Sequence, residues 1–213
     1  MVNFKVVPIA PASRTFALAF PALNGAIGCR DRILNGVLHP AACDLLSPQA
    51  ATRVGLSGYV LLVQAAGNEA VLGRYSAELG ASVEGAEEEQ LWARVREFTP
   101  EFLAAGAEGC VVRVSAMLSR TGQILESLSG PVVARAGSGV VYAYFGETEA
   151  AAAWIRKTAG CGWKSVIEFA PAAKKAGLTL WPDPGNDLEW MKRLKMMFDP
   201  EGVLNPGRMY GRL

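Results

Sequence analysis

The chain has 213 residues, 51% of them apolar and 19% charged, with a formal net charge of +1. That balance suits a packed globular core; it excludes a disordered tail and any global field that would draw the chain to nucleic acid or anionic lipid. Cys29, Cys43, Cys110 and Cys161 form no CxxC pair and His39 is the one histidine, which argues against a zinc ribbon, a redox dithiol or a His-rich metal centre.

Residues 2–8 alternate loosely and run into a proline-rich joint at 8–11, reading as the last strand of another domain followed by a linker. A strand is expected over 14–20 and a helix over 22–35, stopped by Asn35-Gly36. The apolar stretch 16–29 is broken by Pro21, Asn24, Gly25 and Gly28. No run reaches the roughly 18 apolar residues that a membrane span needs, so the chain reads as soluble and cytoplasmic. Strands follow over 41–46 and 58–65, and Asn68 caps a helix carrying Val71, Leu72, Tyr75 and Leu79 at helical spacing. A polar helix over 87–104 has Leu91, Val95, Phe98 and Phe102 as its apolar stripe, with Pro100 splitting or kinking it.

The second half repeats that order. A strand over 110–117, a helix over 120–128, a strand pair over 131–136 and 140–145 joined by the turn signal Ala136-Gly137-Ser138-Gly139, a helix over 147–158 and a closing strand over 165–169 are expected. The fold class is therefore α+β: two ferredoxin-like β-α-β-β-α units forming one mostly antiparallel sheet with helices on one face. Alternation puts Val112, Val114, Val141 and Ala143 on an aliphatic face and sends Arg113, Arg135, Tyr142 and Tyr144 to the other. That second face is either a solvated surface or a binding surface, since arginine and tyrosine suit anions and polar contacts.

Near the end, Asn186 and Glu189 have the spacing of a capping box ahead of a helix with Leu188, Met191, Leu194, Met197 and Phe198 on one face. Phe198-Asp199-Pro200 stops it, and Asn205-Pro206-Gly207-Arg208 forms a second turn. The proline should hold Asn205 in an extended pose, and Gly207 permits close backbone approach. The block from Leu194 to Arg208 resembles the terminal motif of FAD-linked oxidases of the vanillyl-alcohol oxidase and p-cresol methylhydroxylase type, and the ending from Asn205 to Tyr210 most resembles the glycolate oxidase members of that family.

The resemblance implies a substrate-side cap whose sheet covers a flavin held by a separate flavin-binding domain or subunit. Asn205, Gly207 and Arg208 would lie beside FAD, while Arg113, Arg135, Tyr142 and Tyr144 would face a small-molecule substrate. It also implies partners of the glycolate oxidase type. The expected organisation is a remnant strand and linker over 1–11, a duplicated cap over 12–182 and a terminal helix and clip over 183–213. The Gly-rich phosphate loop is not found, so FAD belongs to the full protein or complex rather than to this chain alone. The family's His-Gly-Asp-Gly-Asn type segment is missing as well. This leaves two alternatives: oxidation of glycolate or another 2-hydroxy acid within a complex, or a non-catalytic interaction or dimerisation module. With no Gly-x-Ser-x-Gly elbow, a hydrolase is disfavoured.

Overall fold

Among the described residues, seven strands hydrogen-bond into one sheet in the order β1-β3-β2-β5-β6-β4-β7, every neighbouring pair antiparallel. They are β1 (Ala12–Phe20), β2 (Ala42–Leu46), β3 (Tyr59–Gly67), β4 (Cys110–Ser115), β5 (Val132–Arg135), β6 (Val140–Phe145) and β7 (Lys164–Phe169). The computed structural model describes residues 9–207 and 210, so the strand expected over 2–8 lies outside the described residues, as does Arg208. In the first half the strands stand in the order β1-β3-β2 and in the second β4-β6-β5, and the halves abut along β2 and β5. β7 extends the second half beyond β4. Among the described residues, that place in the first half is held by a single bridge, Val83 to Thr15 of β1, with N···O distances of 3.0 and 2.7 Å.

The first core lies under α1 (Leu23–Leu34), α3 (Glu69–Leu79), α6 (Thr121–Glu126) and α7 (Thr148–Thr158). There Phe16, Leu45, Leu61, Val63, Val112 and Val141 are packed away from water. Local rules account for these helices: the Asn68 side chain accepts the Val71 N–H at 3.0 Å to start α3, and Asn35 ends α1. The hairpin between β5 and β6 needs Gly139 at φ +75°, where an added Cβ would overlap the Ala116 carbonyl oxygen.

The expectation of helices on one face alone does not hold. α2 (Pro48–Arg53), α4 (Gly85–Arg96) and α5 (Phe98–Ala104) cover part of the second face, where Leu46, Val60, Leu62, Val111 and Val133 meet Leu91, Val95, Phe98 and Phe102 in a second core. The reason is in β3: Val60-Leu61-Leu62-Val63 is apolar at every position, the composition of a strand buried on both sides. Pro100 acts as expected. Its ring is incompatible with continuing α4 past Arg96, four residues earlier, yet sits without penalty in the first turn of α5.

A short helix α8 (Ala172–Lys175) and a longer α9 (Asp187–Phe198) follow β7. Lys174 reaches Glu149 at 2.8 Å and pairs with Glu108, tying α8 to α7, while the Ile167 N–H donates to the Leu180 carbonyl at 2.9 Å. Asn186 lies in the helical region (φ −71°, ψ −14°) with no side-chain cap, so the expected capping box does not form. Among the described residues no helix is long and apolar enough to cross a membrane.

Candidate functional site

α2, α4 and α5 leave a strip of the second sheet face open towards β4, β5, β6 and β7. On it Arg113 of β4 stands directly across from Tyr142 of β6 and Val166 of β7. Arg135 of β5 lies one ladder step away: its partner across the hairpin is Val140, and that of Val133 is Tyr142. Arg135 and Tyr142 are therefore diagonal neighbours on one face, a separation that long side chains span. Arg113 is already committed, its NH1 donating to Ser115 Oγ at 3.2 Å and its Nε pairing with Glu168 at 3.5 Å.

Arg135 is more available. Its NH1 donates to Asp44 on β2, directly opposite, and its other N–H groups have no partner among the described residues. The side chain is 41% exposed, whereas that of Asp44 is 4% exposed. Burial pushes the Asp44 carboxyl above its ordinary value, and the Arg135 guanidinium pulls it part of the way back. The pair borders a cleft of about 430 Å³, walled by Ala42, Trp92, Pro40 and Gly137. Arg135 and Asp44 share one end of that cleft, its other walls are largely apolar, and the guanidinium N–H groups not given to Asp44 are chemically able to donate to a carboxylate.

Tyr144 is placed differently from the reading that put it on the open face. It is 4% exposed, with its ring 4.8 Å from that of Phe98 and 5.1 Å from that of Phe102. Its hydroxyl shares a 2.7 Å hydrogen bond with Thr99, and burial pushes its phenol up to about 12. Alternation correctly assigned Tyr144 to the second face; α5 then covers that part of the face.

Trp92 and Glu88 escaped the sequence reading because both lie on a helix whose composition is polar. Glu88 is buried and accepts bonds from Ser13 Oγ at 2.8 Å, Thr15 Oγ1 at 2.7 Å and Gln64 Nε2 at 3.1 Å. Trp92 Nε1 donates to Thr15 Oγ1 at 2.8 Å, which fixes the indole as the partition between the Arg135 cleft and a second cleft of about 500 Å³ beside Glu88. Asp44 did leave a signal: it is a lone acid inside the otherwise apolar run Ala42-Cys43-Asp44-Leu45-Leu46.

The terminal segment is a separate feature. On α9 only Leu188 is buried, while Trp190, Leu194, Met196, Met197 and Phe198 are exposed. Asn205 has φ +48° rather than the expected extended conformation; before a proline the right-handed helical region is the disfavoured one, and asparagine tolerates the left-handed region. Gly207 has φ +68° and open space where a Cβ would stand. The tail returns to the domain through Tyr210, whose ring lies 5.3 Å from that of Trp181. The structure thus groups Arg113, Tyr142 and Arg135 on one strip, withdraws Tyr144 beneath α5, and holds Asn205 and Gly207 on the terminal turn.

No curated protein matches the chain. Residues 173–209, from α8 through the terminal turn, match the family of FAD linked oxidases, C-terminal domain, and this part of the chain is similar to that domain.

Proposed function

We propose that the chain is the substrate-side cap of an FAD-dependent oxidoreductase acting on glycolate or another small 2-hydroxy acid, assembled with a flavin-binding domain or subunit. The match over residues 173–209 carries this reading. Two features support it: an exposed turn at Asn205 and Gly207, open to a neighbouring group, and a row of uncovered apolar side chains on α9 suited to a partner surface. These residues fit contact with a flavin held elsewhere.

FAD, when bound, would supply the two-electron acceptor for taking a 2-hydroxy acid to the 2-oxo acid. Arg135 takes the substrate carboxylate with the N–H groups not given to Asp44. Asp44 holds the guanidinium in place, Tyr142 borders it on the strip, and Trp92 limits the size of the bound acid. Asn205 and Gly207 belong to the cofactor side, together with Arg208, which lies outside the described residues.

Titrating the chain with glycolate while observing the Arg135 Nε–H resonance tests the binding step. A saturable shift at Arg135 and Tyr142, weaker with acetate and lost in Arg135→Met, is expected. A shift that survives Arg135→Met, or no saturable shift, would overturn the substrate assignment.

A further inference from the structure

We infer that Asp199 is a positioning residue, which pre-forms the turn presenting Asn205 and Gly207. The residue follows the last turn of α9. Its Oδ1 accepts the Val203 N–H at 3.0 Å and its Oδ2 accepts the Leu204 N–H at 2.9 Å. Lys195, one helical turn earlier, donates from Nζ both to Asp199 Oδ2 and to the Leu204 carbonyl oxygen. The Gly202 N–H closes the turn on the Asp199 carbonyl at 3.1 Å. One carboxylate and one ammonium thus tie down both the donors and the acceptor of the residues immediately before Asn205.

Apolar packing does little here, because Val203 is 69% and Leu204 63% exposed. Without core contacts, the shape of the 201–204 turn rests on these polar ties, and so does the left-handed conformation of Asn205 that follows. A side chain that is itself 9% exposed, at the base of an otherwise exposed turn, is placed to order it before any partner arrives. The consequence is a cofactor contact delivered already folded, with less ordering entropy lost on docking. This rests on the reading of Asn205 and Gly207 as cofactor contacts; the clip itself is testable without it.

The test is amide hydrogen exchange and side-chain NMR on the full chain. In Asp199→Ala, exchange at Val203 and Leu204 should quicken by roughly tenfold, the loss of charge-assisted bonds, while amides of β3 keep their protection. The Asn205 side-chain and Gly207 amide shifts should move to unstructured values. Asp199→Asn keeps one acceptor oxygen and should rescue one of the two amides and part of those shifts. Unchanged exchange in Asp199→Ala, or loosening that spreads into β3, would overturn the inference. If the turn loosens but flavin reduction in the assembled oxidoreductase keeps its rate, the cofactor-contact reading fails and the clip stands.

Discussion

Removing either partner of the Arg135–Asp44 pair should have very unequal effects. Asp44 is 4% exposed and Arg135 41%, so the carboxylate depends on the guanidinium while the guanidinium retains water. Arg135→Met strands a buried carboxylate, which costs about 3 kcal/mol. Asp44→Asn leaves a neutral acceptor beside an arginine that is partly solvated, which costs about 1 kcal/mol. For a chain of 213 residues an unfolding entropy of about 2.1 cal/mol/K per residue makes the first loss about 7 °C in Tm and the second about 2 °C. The pH dependence has a definite sign. Asp44 already binds its proton more tightly folded than unfolded, so stability falls as pH rises from the ordinary carboxylate value through the raised folded one. Arg135→Met removes the opposing cation, raises the folded value further and deepens that fall, and Asp44→Asn abolishes it. The assay is a set of thermal melts of the parent, both single variants and the double variant across mildly acidic to neutral pH. A double variant no less stable than Arg135→Met alone is expected; Asp44→Asn losing as much as Arg135→Met, or an Arg135→Met variant indifferent to pH, would show that the Asp44 carboxyl does not depend on the Arg135 guanidinium.

Three further outcomes follow from individual contacts. Trp92→Phe removes the 2.8 Å bond to Thr15 and should cost about 1 kcal/mol in urea denaturation, while opening the partition between the two clefts to bulkier acids. Gly139→Ala places a Cβ against the Ala116 carbonyl at φ +75° and should cost about 2 kcal/mol or more, whereas Gly28→Ala, with open space around it, should not. A thiol reagent at mildly alkaline pH should modify exposed Cys161 quickly and leave Cys43 and Cys110 intact until unfolding, since burial pushes their thiols up to about 12 and about 11.

The elements governed by local chemistry could be read directly from the sequence. Asn68 was recognisable as a cap, Pro100 as a helix break, and Gly137-Ser138-Gly139 as a hairpin because each dictates backbone geometry within a few residues. α2 was missed although Ser47-Pro48 is a cap followed by a proline at the first helical position. What the sequence did not yield depended on tertiary placement. Alternation assigned Tyr144 and Arg135 to the same face, but only the path of α4 and α5 determines that one is covered and the other left at a cleft. The burial of Glu88 depends on Ser13, Thr15 and Gln64, more than twenty residues away in sequence. Asn186 had the right spacing for a cap, but its backbone took a helical conformation that a cap excludes.

The most direct measurement is a visible spectrum of the assembly isolated with the full chain from its source, followed by anaerobic addition of glycolate. The expected result is flavin absorption in the assembly, bleaching on addition of glycolate or another small 2-hydroxy acid, and loss of bleaching in Arg135→Met with the flavin still bound. A colourless assembly, or a flavin that no small 2-hydroxy acid reduces, would contradict it.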